Sequence, residues 1–224
     1  MTNTKNLIAI ILLILLQSCS SVKVVNAWKT DQSNLDEFKK KNILVIARTN
    51  NEQSRIAFEM EIANQLRAKG FKAVESYTKA PELNKPEMTE ERIAHIREIM
   101  GYENLDGVVI TAVKDKKQTT TTSSNGMYLG ASYSNFYPGY YGSFYNYYAS
   151  PYAYGSYYDS FGGYIPMGTS TRTTTKYVLE TIAYNLDASN EDQIVAVVTT
   201  DLDNPKDAFK TAKKYVDEMM KALE

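Results

Sequence analysis

The chain has 224 residues with 25 basic and 26 acidic side chains, one histidine and one cysteine, and its formal net charge is −1. A near-neutral balance without a long basic cluster argues against a nucleic-acid partner, because such binding is dominated by neutralisation of phosphates. A single cysteine excludes an intramolecular disulfide, so the apolar core alone must stabilise one domain of ordinary size.

Residues 1–18 have the pattern of a cleaved signal peptide. One positive charge, Lys5, precedes an apolar run from Leu7 to Leu16, and Gln17 ends that run. A membrane-spanning helix needs about 20 apolar residues, and this run has only about half of them. We therefore predict that the segment directs export and is then removed.

The residues that close the run, Leu16, Gln17, Ser18 and Cys19, resemble the lipobox of bacterial lipoproteins. In that family the cysteine thiol receives diacylglycerol, the signal is cut off, and the new amino terminus is acylated, for example with palmitate. The resemblance implies a covalent lipid on Cys19 and no other cofactor, and two or more acyl chains give a stable membrane anchor. The alternative is an ordinary secretory signal followed by an unpaired cysteine.

The residue after Cys19 bears on which membrane is used. Ser20 stands where inner-membrane lipoproteins often have aspartate, and no acidic run follows it. By analogy with lipoprotein sorting, we expect the cell outer membrane, with the protein facing the periplasm. Residues 19–27 are expected to be a lipidated linker, and Trp28, nine positions beyond Cys19, must lie within about 30 Å of the bilayer.

The first half of the chain predicts alternating strands and helices. Ile43 to Ala47 is a continuous apolar run, typical of a strand buried on both faces. Asn50 or Asn51 can cap a helix that Gly70 ends. Phe71 to Ser76 predicts a short second strand. The inner face of the helix is predicted to consist of Phe58, Ile62, Ala63 and Leu66.

A second helix and a third strand follow. Thr89, with two glutamates after it, predicts the start of a helix that ends at Gly101. Val108 to Val113 is the third apolar strand. The sole histidine, His95, lies within the helix, where a surface or half-buried histidine is a better interpretation than a ligand or a base.

The remaining pattern predicts a long hairpin and a closing helix. Two threonine ribbons, 119–122 and 171–175, pair if Thr121 faces Thr171, and the same register places Ile110 opposite Ile182. Ile194 to Val198 is the last predicted strand. Asn204 is predicted to cap the closing helix, with Pro205 at its first position. The side chains expected to point inward are Ala208, Phe209, Ala212, Val216, Met220 and Leu223.

These elements predict an α/β (α+β) fold in the order βαβαβββα, with helices packed on the sheet. The domain comprises 28–125 and 169–224, and the hairpin carries residues 126–168 at its tip. That insert holds 13 of the 18 tyrosines and 8 of the 11 glycines, with Asp159 as its only charge. Its composition predicts a mobile or loosely ordered loop, distant from the core.

Tyrosine gives a loop a flat apolar face and a hydroxyl at low entropic cost, so such loops adhere to proteins and glycans. Contact with lipid headgroups and an unselected spacer are the other interpretations. The candidate contact residues are Tyr137, Tyr140, Tyr141, Tyr145, Tyr147, Tyr148, Tyr152, Tyr154, Tyr157 and Tyr158.

We identify no catalytic or metal-binding constellation in the sequence. Acidic pairs such as Glu59 with Glu61, and Glu90 with Glu91, are explained as solvated helix faces. Asp201 and Asp203 are explained by a helix cap rather than by calcium. We therefore predict that the protein is not an enzyme.

A wider resemblance extends over most of the chain outside the insert. It rests on Trp28, Lys29, Phe38, Lys39, Lys40, Leu44, Val45, Ala47, Arg55, Phe58, Glu59, Leu66, Gly70, Ala73, Ser76 and Tyr77. With these residues the chain resembles a group of bacterial lipoproteins, without known activity, that also carry tyrosine- and glycine-rich hairpin insertions. More loosely, it is similar to the α/β module of the TolB amino-terminal domain and of outer-membrane lipoproteins that assist curli secretion, polysaccharide export and peptidoglycan synthase activation.

These resemblances imply a protein that binds partners or forms rings. The expected function is that of a non-enzymatic accessory or scaffold of the cell envelope, acting through contacts with envelope proteins or with further copies of itself. The alternative is a glycan-, peptidoglycan- or lipid-binding protein of envelope maintenance that uses the tyrosine-rich hairpin.

Overall fold

The structure is a computed structural model that describes residues 21–79, 89–122, 143–149, 171–189 and 192–224. The strands are β1 (Val22–Lys29), β2 (Asn42–Arg48), β3 (Lys72–Glu75), β4 (Gly107–Thr122), β5 (Thr171–Asn185) and β6 (Ile194–Asp203). The helices are α1 (Gln32–Lys39), α2 (Glu52–Ala68), α3 (Ser76–Lys79), α4 (Glu90–Tyr102), α5 (Phe144–Ala149) and α6 (Ala208–Ala222).

The six strands form one mixed sheet in the order β1-β6-β5-β4-β2-β3. The pairs β1·β6, β6·β5 and β5·β4 are antiparallel, whereas β4·β2 and β2·β3 are parallel. The predicted mixed α/β fold is confirmed.

Both faces of the sheet are covered, as the continuous apolar run in β2 predicts. Ile43 and Val45 pack on one face with α1, α2 and α6, and Leu44 and Ile46 pack on the other with α4 and α5. All four side chains are at most 1% exposed. The two apolar clusters therefore meet across the central strands.

Local signals in the first half give the expected bounds of α2 and the expected start of α4, but α4 continues through Gly101, its predicted end, to Tyr102. The side chain of Asn51 accepts a hydrogen bond from the Ser54 backbone N–H and so caps α2. Gly70 has a φ of 85° just after that helix, in the left-handed region that glycine adopts without a steric penalty. Thr89 caps α4 through the N–H of Arg92.

The amino-terminal segment departs from the prediction. Residues 19–27 were expected to be a linker, but from Val22 onward the chain forms the edge strand β1, paired with β6. The carbonyl of Ser21 accepts a hydrogen bond from the Asp203 backbone N–H at an N···O distance of 2.7 Å. A short, alternating segment of this kind carries too weak a pattern to predict a strand, since its pairing depends on the distant β6.

The hairpin register is confirmed in its apolar half and wrong by one residue in its polar half. Ile110 pairs with Ile182 as predicted, but Thr121 pairs with Arg172 rather than with Thr171. A bulge between Val113 and Asp115 inserts one extra residue in β4 and shifts every later pair.

The closing helix begins later than predicted. Asn204 has a φ of 45°, so it is a left-handed turn residue, and its N–H donates to the carbonyl of Thr175. β6 continues to Asp203 because it pairs with strands on both sides. Asp207 is the cap of α6, and its carboxylate accepts from the Lys210 N–H. The buried face of α6 also differs in part from the prediction, since Phe209, expected to point inward, is 45% exposed. The buried face of α6 is Thr211, Ala212, Tyr215, Val216 and Met219.

The observed cap is testable by substitution. Asp207→Ala should lower the free energy of unfolding by about 1 kcal/mol, because one amide at the start of α6 loses its acceptor. Asn204→Gly should change it by less than about 0.5 kcal/mol, since glycine accepts a left-handed φ. Urea denaturation followed by circular dichroism measures both, and an unchanged midpoint for Asp207→Ala would contradict this cap.

Candidate functional site

The sequence-predicted site residues fall in very different places. Cys19 and the lipobox residues Leu16, Gln17 and Ser18 lie outside the described residues. So do seven tyrosines of the candidate contact loop: Tyr137, Tyr140, Tyr141, Tyr152, Tyr154, Tyr157 and Tyr158. The other three, Tyr145, Tyr147 and Tyr148, belong to helix α5.

Helix α5 is docked on the sheet. Phe144 and Tyr148 are both 0% exposed, and the two rings lie 5.4 Å apart. Phe144 also contacts the ring of Tyr184 in β5 at 5.8 Å, and its backbone N–H donates to Oε1 of Gln193 at 3.2 Å. These contacts join α5 to the face of the sheet that α4 covers only in part.

The expectation that the insert lies far from the core is therefore wrong for α5. Tyr148 is buried within the domain and cannot serve as an exposed contact residue. Phe144 and Tyr148 stand four positions apart, the spacing that places two side chains on one face of a helix. This spacing could have predicted a helix with one apolar face. It was hard to recognise in the sequence because the surrounding residues are also rich in tyrosine.

Two arginines hold the docked aromatic rings. The guanidinium of Arg48, at the end of β2, lies 4.3 Å from the centre of the Tyr148 ring. The guanidinium of Arg97, on α4, lies 4.6 Å from the centre of the Tyr145 ring. Both distances are within the range of cation–π attraction. These contacts connect the insert to the sheet and to α4 through charge as well as apolar burial.

The buried phenols of this cluster stay protonated. Burial raises the pKa of Tyr148, although the nearby charges of Arg48 and Arg92 act in the opposite direction. Burial also raises the pKa of Tyr184 far above its ordinary value, and the charge of Glu180 adds to the effect. Neutral rings of this kind act here as packing groups and hydrogen-bonding groups rather than as acids or bases.

A cleft of about 330 Å³ lies at the carboxyl end of β2, beside the middle of β4. The starts of α2 and α6 border it, and its wall combines apolar side chains such as Phe58 and Leu202 with polar ones such as Ser54 and Thr211. The chain leaves β2 towards β3 and returns across it to β4, and ligands of open α/β sheets bind at such a reversal. The cleft is thus a concave surface of the described fold with room for a small molecule.

Glu59 belongs to a buried network and not to a solvated helix face, so that part of the prediction is wrong. Its side chain is 0% exposed. Its Oε1 accepts from the N–H of Ala47 at 3.0 Å, from Nε of Arg55 at 3.1 Å and from the hydroxyl of Ser76 at 2.7 Å. Its Oε2 accepts from the N–H of Tyr77 at 2.8 Å.

The position of Glu59 explains this network. Strand β3 stops at Glu75, which pairs with Val45, so β3 offers no ladder partner to Ala47. The Glu59 carboxylate supplies the missing acceptor and also accepts from the start of α3. Burial raises the pKa of Glu59, while its hydrogen bonds and Arg55 counteract that rise. Because these donors already occupy the carboxylate, its role is to join α2 to β2 and α3.

The other candidate residues lie on the surface. His95 lies on the outer side of α4, as predicted, with 57% of its side chain exposed and Nδ1 3.5 Å from a Glu98 oxygen. Asp201 and Asp203, interpreted as part of a cap, instead contact Lys176 at 2.8 and 3.8 Å.

Within the described ranges, no group of three or more histidine, cysteine, aspartate or glutamate side chains is placed to hold a metal ion. No helix in the same ranges is long and apolar enough to cross a membrane.

Comparison with known proteins gives little similarity. No family model matches the sequence, and no curated protein matches it. Two solved structures of the PelC dodecamer from Paraburkholderia phytofirmans are similar to 90% of this chain. One, a leucine-to-methionine variant, has 11% identity and a TM-score of 0.38 over 96% of its chain. The other has 10% identity and a TM-score of 0.39 over 95% of its chain. These scores are too low to support an argument.

Truncating the docked tyrosine tests the role of α5. Tyr148→Ala should lower the free energy of unfolding by about 3 kcal/mol, because it leaves a cavity beneath Arg48 and beside Phe144. The control Tyr102→Ala removes a ring that is 85% exposed and should change stability by less than about 0.5 kcal/mol. Thermal or urea unfolding measures the difference, and equal effects would show that α5 does not pack on the sheet.

Neutralising Glu59 tests the buried network. Glu59→Gln keeps the volume but sets an amide N–H₂ against donors and removes the charge that Arg55 faces, so we expect a loss of about 3 kcal/mol. Glu91→Gln, at an exposed position in the first turn of α4, is the matched control and should cost under about 1 kcal/mol. A loss for Glu59→Gln no larger than that of the control would mean that the network does not stabilise the fold.

Proposed function

We propose that this protein is an envelope lipoprotein, anchored to the outer membrane through lipid on Cys19 and facing the periplasm. It acts as a non-enzymatic accessory or scaffold through contacts with envelope proteins or with further copies of itself. The anchor rests on the lipobox resemblance of Leu16, Gln17, Ser18 and Cys19. The contact role rests on the geometry of the sheet edge nearest to that anchor.

The observation that carries the contact role is the position of β1. It stands at one end of the strand order, so its outer side has no paired strand among the described residues. An exposed edge of this kind offers backbone N–H and C=O groups to a strand of another chain. Val25, the extra residue of a bulge in β1, is 53% exposed and adds an apolar contact there.

The opposite edge of the sheet is less suited to this role. Strand β3 has four residues, and its end is already bonded into the network around Glu59. The docking of α5 also limits the alternative function, because Tyr148 is removed from the aromatic surface that would bind glycan or lipid. Support for protein contacts is therefore greatest at β1.

Site-specific crosslinking tests the proposal. A photoreactive amino acid replaces Val25 in the acylated protein within intact envelopes, and the matched control replaces Asn64, an exposed position on α2. We expect discrete protein adducts at position 25, at least about fivefold more abundant than at position 64. Adducts of twice the protein mass indicate self-association, and other discrete masses indicate an envelope partner.

Three outcomes would contradict the proposal. Equal amounts of crosslinked adduct at positions 25 and 64 would show that the β1 edge is not a specific contact surface. If the protein that has not been crosslinked sediments with peptidoglycan, and the photoreactive side chain at position 25 does not change this, the result would favour the glycan-binding alternative. An intact mass that retains residues 1–18, or one that shows no acyl chains and matches the modification state of the Cys19→Ser variant, would overturn the anchor itself.

A further inference from the structure

The cleft described above lies where helices α2 and α6 begin. β2 runs parallel to β4, and β6 runs parallel to both because two antiparallel pairs separate it from β4. α2 follows β2 and α6 follows β6, so both helices start at the same end of the sheet. The cleft lies between their first turns, and the middle parts of β4 and β5 form its floor. Its shape is therefore set by the packed elements of the domain.

Much of the cleft surface is apolar. Phe58 of α2 and Leu179 of β5 are buried, and Leu202 of β6 is buried beside them. Val113 and Tyr177 are only partly buried, so they leave apolar surface open to the cleft. At about 30 Å³ for each non-hydrogen atom, as in liquid water, the volume suits a molecule of about 11 such atoms. The cleft thus matches the apolar body of a small molecule.

Three hydroxyl side chains line this space: Ser54, Thr111 and Thr211. The Thr111 hydroxyl lies 2.6 Å from that of Thr181, which lies 2.7 Å from the Tyr215 hydroxyl. Thr211 differs, because it is only 8% exposed and its hydroxyl has no hydrogen-bond partner among the described residues. Buried hydroxyls are normally hydrogen-bonded, so a ligand can supply the bond that the fold leaves unmade.

The charged residues of the wall do not select an ion. Lys206 and Asp207 are adjacent at the rim, so their opposite charges offset each other. The guanidinium of Arg48 lies over the ring of Tyr148, which belongs to the apolar cluster on the other face of the sheet. Backbone N–H groups at the starts of both helices favour a hydrogen-bond acceptor. The wall therefore suits an uncharged molecule with an acceptor oxygen.

We propose that the cleft binds a small uncharged molecule that has an apolar body and a carbonyl group, such as an amide or an ester. The apolar body contacts Phe58, Leu179 and Leu202, and the carbonyl oxygen accepts a hydrogen bond from the hydroxyl of Thr211. None of the described residues that line the cleft belongs to β1. This site is therefore separate from the proposed contact edge, and each can be tested without the other.

Fluorine NMR tests the site with 3-(4-fluorophenyl)propanamide, an uncharged amide of suitable size. The probe is titrated with the acylated protein in lipid nanodiscs, and empty nanodiscs give the correction for partition into lipid. The carboxylate and the amine with the same fluorophenyl body are the charged comparison probes. We expect the amide to bind saturably with a Kd of about 5 mM or lower, and each charged probe to bind at least about fivefold more weakly.

Two substitutions locate the binding in the cleft. Thr211→Val keeps the shape of the side chain but removes the donor, so Kd for the amide should rise at least about fivefold. Ala208→Phe, at a half-buried position of the wall, should fill the cleft and raise Kd at least about tenfold. The control Thr78→Val removes an exposed hydroxyl from α3 and should change Kd less than about 1.5-fold. Circular dichroism confirms that each variant is folded.

Three results would overturn the inference. Line broadening no greater than with empty nanodiscs would show that the cleft does not bind this class of molecule. Equal Kd values for the unaltered protein and for folded Ala208→Phe would place the binding elsewhere. Tighter binding of either charged probe than of the amide would exclude an uncharged ligand. Crosslinking at position 25 reports on the proposed function separately, so its failure and the failure of this site are distinguishable.

Discussion

The central strands of this sheet are apolar on both faces, and both faces must therefore be removed from water. Helices α1, α2 and α6 cover one face. On the other face α4 provides Ile96 and Met100, and α5 provides Phe144 and Tyr148. A segment from a tyrosine-rich insert is thus part of the core, and its removal would expose apolar surface on β4 and β5. Function cannot be assigned to the insert by deleting it without also disturbing the fold.

The two edges of the sheet differ in whether their backbone hydrogen-bonding groups have partners within the described structure. Beyond the end of β3, the Glu59 carboxylate replaces a missing ladder partner for Ala47 and holds α2 against the sheet. At β1 the described structure leaves the outer side of the strand uncovered, and an uncovered edge is a place where another chain can pair. The proposed contact surface and the proposed anchor meet at this strand, because its first residue follows Cys19 by three positions.

The long hairpin projects from the same end of the sheet as the first residue of β1. The bulge between Val113 and Asp115 lies where the apolar half of β4 changes to the polar half, and next to it Lys114 contacts the buried Glu180 at 3.0 Å. The apolar half of the hairpin is packed between helices, and its polar half extends beyond them.

The sequence by itself determined the mixed α/β class, the strand β2, the bounds of α2, the start of α4, and the pairing of Ile110 with Ile182. These features depend on local signals, such as the cap at Asn51 and the left-handed turn at Gly70, or on apolar periodicity that survives without neighbours. Tertiary structure decided the edge strand β1, the one-residue shift in the ribbon, the start of α6 at Asp207 and the docking of α5. Each of these depends on a partner far along the chain, because backbone pairing, a bulge and the burial of Tyr148 beneath Arg48 are favourable only once the opposing surface exists. The proposed lipid on Cys19 was predicted from four adjacent residues. The start of the sheet at Val22, three residues later, depends instead on the pairing of β1 with β6.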